Sequence, residues 1–342
     1  MTKRVSMADV AHRAGVSAQT VSRVANGFPG VVDATRQQVL EAMHEMGYRP
    51  NGAARALKRG EFRTLGVIMF SLSNTGNSRR LEAIATHAAR EGYGITLIPV
   101  ALPTEAAVLG AFSRLEELAV DGIVVVMEVH LLDAASVVLP PGTPVLVADS
   151  DAGDRYSVVD SDQADGARQA VQHLLDLGHQ TVWHVSGPQG SYAAERRASA
   201  WKRTLEAGGA DVSPMLHGDW SAESGYQAGL SIADTADCTA VFVSNDQMAL
   251  GVLRALHERG ARVPEDVSVV GFDDIPDSSS FFPPLTTVHQ DFAEVGRRCV
   301  TGVLRQIRGN PSKSGVTLVP TRLVVRASTA SPPGRAGRPR RQ

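Results

Sequence analysis

Before residue 50 the apolar positions follow a helical period three times. Met7, Val10, Ala11 and Ala14 fall on one helical face, and Gly15 stands where a C-terminal cap belongs. Val16 fills a short turn, after which Ser17 can accept from the first free amides of a second helix over 18–25. That helix buries Val21 and Val24 and ends at Asn26 and Gly27. A third run over 33–46 has Asp33 as its N-cap, an apolar face of Val39, Leu40, Met43 and Met46, and Gly47 beyond its last turn. Three short helices with a turn of about three residues between the first two predict an all-α helix-turn-helix head over 1–49.

From residue 64 the period changes. The β-branched runs "TLGVIMF", "GITLIPV", "GIVVVM", "PVLVAD", "TVWHVSG", "AVFVSN" and "VSVVGF" alternate with helical runs over 78–91, 105–118, 166–177, 194–207 and 247–259. Such alternation predicts parallel sheets with helices on both faces, and roughly 260 residues of it suggest two α/β lobes over 64–327. Ligands in these folds collect at the carboxyl ends of strands. Those places carry Asp149, Asn245, Asp246, Asp273 and Asp274, with Arg197 on the helix after "VSGPQGS". Carboxylates, an amide and a guanidinium suit a neutral polyol, and Trp220 could stack on a sugar's apolar face. A lone Asp at a strand end serves equally well as a helix cap, so the joint occurrence carries the weight.

Charge sharpens the division of the chain. Residues 1–63 hold 10 Lys and Arg against 5 Asp and Glu, residues 331–342 hold 4 Arg and no acid, and the middle carries a net −11. A basic head on an acidic body points to an anionic polymer at the head. The outward residues of the second helix, Ala18, Gln19, Ser22 and Arg23, suit base edges, because Gln can bond adenine and Arg guanine through paired hydrogen bonds. Ser17 and the helix N-terminus suit phosphate. The same polar face would also serve a three-helix interaction module.

No run approaches the roughly 18 apolar residues of a membrane span, and "MTKRVSMADV" lacks the apolar core of a signal peptide, so a cytoplasmic protein without membrane contact is expected. Cys238 and Cys299 lack partners at metal-ligand spacing and read as buried thiols. No nucleophile elbow, phosphate-binding loop or metalloprotease motif is present, and His173, His179 and His184 do not share a helical face. Neither catalysis nor a cofactor nor a metal is expected.

Two segments are weak on their own. In "NGAARALKRG", Asn51 can cap a helix over 52–58, but a helix this short is marginal in water, and Gly52 weakens it by a further ~1 kcal/mol. It reads either as a linker over 50–63 or as a helix that forms when two copies pack through Ala53, Ala56 and Leu57 against DNA. The closing "STASPPGRAGRPRRQ", over 328–342, reads as a disordered basic tail.

The stretches "MADVAHRAGVSAQTVSRVANG" and "TRQQVLEAMHEMGYRPNGAARALKRG" resemble the head and hinge of the LacI/GalR family of bacterial transcription regulators. The likeness continues in "HGDWSAESGY", "SNDQMALGVLRAL", "VSVVGFDDIPDSS" and "PPLTTVHQDF". It implies a two-lobed body like that of periplasmic binding proteins, and a homodimeric repressor whose grip on double-stranded operator DNA falls when a small sugar binds between the lobes. By the same resemblance Ala18, Gln19 and Arg23 read bases, and Ser17, Thr20, Ser22 and Asn26 secure the backbone. In the hinge, Asn51, Ala54 and Leu57 meet DNA, with Leu57 as a minor-groove wedge. Asn74, Asp149, Arg197, Trp220, Asn245, Asp273, Gln290 and Phe292 would line the sugar site, a galactoside-like ligand being implied, and the lobes would pivot near 160–162 and 290–292. Departures are visible: Asn74 and Asn77 stand on a lip that is otherwise apolar, Ser161 replaces a Phe, and a large aromatic is absent at Ala18. A ligand that tightens the DNA complex instead of loosening it is the nearest alternative.

Overall fold

Side chains close the first turn of the first helix. Ser6 Oγ accepts from the Asp9 amide at 3.3 Å, and the Asp9 carboxylate accepts from the Ser6 amide at 2.8 Å, a reciprocal cap that starts α1 (Met7–Arg13). In this computed structural model residues 5–49, 60–72, 74–101, 104–126, 142–150, 156–235, 237–310 and 314–333 are described. The chain divides into two compact units, residues 1–62 and 63–342.

In the first unit Ser17 caps α2 (Ala18–Ala25) by accepting from the Thr20 amide at 3.1 Å. The third helix is α3 (Asp33–Glu45). Val10, Ala14, Val21, Val24, Val39 and Met43 form the core. Two expectations need correction. Asp33 is the first residue of α3, the cap position falling to Val32 with no side-chain bond, although a carboxylate there still faces the positive end of the helix. Leu40 is 45% exposed, because a residue next to the buried Val39 is turned about 100° away from it.

The second unit contains two sheets. Its first part runs β1 (Thr64–Phe70), α4 (Thr75–Arg90), β2 (Gly94–Val100), α5 (Glu105–Glu117), β3 (Gly122–Val126), β4 (Val145–Ala148) and β5 (Ser157–Ser161). The chain then continues through α6 (Gln163–Asp176), β6 (Trp183–Ser186), α7 (Tyr192–Ala207), β7 (Met215–His217), α8 (Ala222–Ala233), β8 (Ala240–Val243), α9 (Asp246–Glu258), β9 (Ser268–Asp273) and β10 (Thr286–Gln290). It closes with α10 (Phe292–Ile307), β11 (Gly315–Val319) and β12 (Thr321–Val324). Among the described residues the N-lobe sheet has the order β11-β5-β4-β3-β1-β2, all parallel, and the C-lobe sheet the order β12-β10-β9-β8-β6-β7, parallel except at β12. Buried Val, Ile and Leu from both faces of each sheet meet the flanking helices, as parallel sheets require.

The strands read from the pattern are present, but β5, β7, β10, β11 and β12 and the helices α8 and α10 were not read from it. β10 is "TTVHQ" and β11 is mostly exposed, so neither shows an apolar run. The chain crosses between lobes at 161–163, one residue after the 160–162 read from sequence, at 290–292 as read, and a third time around Pro320, between β11 and β12. No helix among the described residues is long and apolar enough to cross a membrane.

Candidate functional site

A cleft of about 290 Å³ lies where the carboxyl ends of the strands of both lobes converge. Asp149 follows β4, Asn245 caps α9 after β8, and Asp273 and Gln290 end β9 and β10. Asn74 caps α4, while Arg197 and Trp220 arrive from α7 and from the loop before α8. All seven line the cleft. Phe292, the eighth residue expected there, stands behind the wall, its ring centroid 5.7 Å from the Arg80 guanidinium carbon.

The backbone at the wall is unusual. Asp149, Trp220 and Asp273 have φ of 61°, 74° and 113°, in the region that costs an L residue about 1–3 kcal/mol. Surrounding bonds hold these conformations. Asn245 Nδ2 donates to the Trp220 carbonyl at 3.0 Å, and Gln290 Nε2 donates to Asp273 Oδ1 at 2.6 Å. Gly187 leaves room for the Trp220 ring, which a side chain there would strike.

Charges in the cleft are buried and internally paired. Arg80 Nη1 donates to Asp149 Oδ2 at 2.8 Å, with both side chains under 5% exposed. Arg197 sends Nε and Nη2 to Gln163 Oε1 at 2.9 and 2.7 Å, donates Nη1 to the Ser244 carbonyl, and lies 3.8 Å from Asp273. Burial pulls the Arg197 pKa down, against Asp273 and Asp149, yet a guanidinium stays protonated. Burial likewise raises Asp273, opposed by Arg197 and the Gln290 bond. Asp160, at the end of β5, is raised to about 7 by burial and by the neighbouring Asp149. Two buried polar atoms of the wall, Asp149 Oδ1 and Trp220 Nε1, have no hydrogen-bond partner among the described residues. One can accept a hydrogen bond and the other donate one, which is what a hydroxyl-bearing guest satisfies.

Arg80 lines the cleft and was missed, as were Gln163 and Asp160, which stand behind the wall bonded to each other, Gln163 also holding Arg197. Only Arg80 carried a legible signal, since a charged residue three positions after Asn77 continues the polar face toward the lip. His184, one of the three clustered histidines, is stacked on Trp201 and Phe242, and burial pushes its pKa down to about 3. It is a neutral core side chain.

In the head, Ser17, Ala18, Gln19 and Arg23 are exposed and Thr20, Ser22 and Asn26 half-buried, all on α2 or its caps. Arg23 Nη2 donates to the Pro29 carbonyl at 2.9 Å, and Asn26 Nδ2 donates to the Ser22 carbonyl at 2.6 Å. Asn51, Ala54 and Leu57 lie outside the described residues.

Residues 6–51 match the model for bacterial regulatory proteins of the lacI family, and residues 171–329 match a periplasmic binding protein-like domain. The Lactose operon repressor of Escherichia coli (strain K12) is 37% identical over 341 residues, spanning 99% of this chain and 94% of that protein. This chain belongs to the lacI family. It is a DNA-binding transcriptional regulator, in keeping with relatives that are regulators of transcription rather than enzymes. Its fold superposes on a Lac repressor dimer bound to operator and the anti-inducer ONPF with a TM-score of 0.86, at 36% identity, covering 96% of this chain and 100% of the other. The transcriptional regulator CelR in complex with cellobiose gives a TM-score of 0.71 at 28% identity, covering 95% and 100%.

Proposed function

We propose that this protein is a homodimeric transcriptional repressor that grips an operator through α2 of each head and loses that grip when a neutral sugar occupies the cleft. The observation that carries the sugar reading is the wall itself. Two guanidinium groups face two partnered carboxylates, so a charged ligand would leave one of them opposed, whereas hydroxyls complement Asp149 Oδ1 and Trp220 Nε1. The Lac repressor dimer and the CelR–cellobiose complex, both close in fold, favour operator DNA and a sugar as the two partners. The galactoside class is the first candidate. On the C-lobe, Phe282 is 94% and Leu250 43% exposed, apolar surface that a second copy would cover.

In this reading Ser17, Thr20, Ser22 and Asn26 set the register on phosphates while Ala18, Gln19 and Arg23 meet base edges. Arg23 leaves the Pro29 carbonyl for a guanine on docking. The segment over 50–63 carries the coupling, with Asn51, Ala54 and Leu57 at the DNA. A ligand shifts such an equilibrium only through unequal affinity for its two states, typically about 1–3 kcal/mol of coupling. Operator affinity of the purified chain, measured with and without galactosides and other neutral sugars, tests this reading. The expected result is a fall of roughly 5- to 150-fold with one of them. Tighter binding would make the sugar a corepressor, and indifference to every duplex would reject the repressor reading.

A further inference from the structure

Arg80 enters the proposed function only as one of two guanidinium groups, yet its place in the cleft also bears on the size of the ligand. It projects from the second turn of α4, is 3% exposed, and is held by its surroundings. Asn77 Nδ2 donates to the carbonyls of Phe70 and Ser71, both at 3.1 Å, and Asn77 Oδ1 accepts from Arg80 Nη1 at 3.3 Å. The guanidinium is thereby tied to the end of β1 while its bond to Asp149 spans the cleft floor. At the rim, Gln247 Nε2 donates to Thr75 Oγ1, joining the start of α9 in one lobe to the start of α4 in the other. Gln247 Oε1 in turn accepts from Asn245 Nδ2 at 3.1 Å, so the rim contact continues into the wall. The space left between these groups is a small cleft of about 290 Å³, solvent at its mouth included.

We propose that Arg80 and the Thr75–Gln247 rim pair restrict the effector to a single unsubstituted sugar ring, with a free hydroxyl at the Arg80–Asp149 end, and exclude both a second ring and an apolar aglycone. This inference rests on the sugar reading and narrows it. An apolar substituent against Arg80 and Asp149 would cover two buried charges and return no hydrogen bond, which the wall cannot compensate. A hydroxyl at the same place donates to Asp149 Oδ1, the carboxylate oxygen with no partner among the described residues. A second ring has to leave through the rim, where it would break the contact between lobes that closes the cleft.

Calorimetric titration of the full-length protein with free hexoses, their phenyl glycosides and disaccharides such as lactose and cellobiose tests this. The best free hexose is expected to bind at least about tenfold more tightly than its phenyl glycoside or any disaccharide containing it. In the double variant Arg80→Leu, Asp149→Asn, which removes both charges of the pair, the phenyl glycoside is expected to gain on the free sugar. Gln247→Ala, a rim change that leaves the buried pair intact, is expected to relax the exclusion of disaccharides and provides the variant readout should the double variant not fold. A phenyl glycoside or disaccharide binding the unaltered protein as tightly as the best hexose overturns the inference and leaves the sugar reading standing. Absence of binding by every sugar in both forms, with operator binding intact, removes the sugar reading and this inference with it.

Discussion

In the head, the seven candidate DNA-facing residues occupy ten consecutive positions, from Ser17 to Asn26, and most of their side chains stand in solvent. The eight candidates of the cleft run from Asn74 to Phe292, arrive from two sheets, and are largely buried. The head surface is local: a Ser cap and one amphipathic helix present it, and no charge has to leave water. The cleft needs paired charges no more than 5% exposed and three wall residues with positive φ, so its shape depends on the whole fold. A regulator built from both can change what it reads on DNA at little risk to stability, while any change of ligand disturbs a network that also holds the lobes.

The contrast is breakable. The largest expected effect is that of Asp149→Ala, which leaves Arg80 buried without its carboxylate and should cost the body about 3–5 kcal/mol. Thermal or urea unfolding followed by tryptophan fluorescence measures it, since all three Trp residues belong to the body. A loss below about 1 kcal/mol would place the pair in a far wetter setting than the structure describes.

Asp160 should follow in size. Its pKa rises from 3.8 to about 7 on folding, so between those values the folded chain holds a proton that the unfolded chain has released. Its contribution to stability is present at the acid end and is lost as pH climbs through about 7. Asp160→Asn should therefore flatten this part of the pH profile and stabilise the body at pH about 8, on the order of 2 kcal/mol. An unchanged profile over about pH 5–8 would show the carboxylate already ionised in the folded protein.

Arg23→Ala should lose about 1–3 kcal/mol of discrimination at one base pair while the unfolding of the body stays unchanged. Competition between operator variants reads the first quantity, and equal preference before and after the change would take Arg23 off the base edge. The smallest effect is expected for Ser17→Ala, which removes the cap on α2 and should destabilise the head by about 1 kcal/mol, seen in amide exchange over 18–25. Equal exchange rates would mean that Thr20 and its neighbours satisfy the helix start without the hydroxyl.

Legibility followed the range of the interactions. Val10, Val21, Val24 and Val39 announced the head because each helix buries a face whose period is written in a dozen residues. The strands β1 and β3 were equally plain, being buried on both faces or nearly so, and the half-buried edge strand β2 still shows an apolar run. β10 and β11 escaped because a polar strand in mid-sheet and an exposed edge strand show no apolar run. In the cleft, Asp149, Asn245 and Asp273 were readable as polar residues closing apolar runs. Asp160, behind the wall, was not, and of Arg80 only the continued polar face after Asn77 showed, since their meaning lies in meeting Asp149, 69 residues from Arg80 in the chain.

From sequence alone came the helix-turn-helix head, the alternation that makes two α/β lobes, and the gathering of polar groups at strand ends. These depend on periodicity and on caps, which act over one or two turns of chain. Which charges pair, how much space remains between them and where the third crossing falls were decided by the tertiary structure, because the free energy of a buried ion depends on partners that only folding brings within about 3 Å.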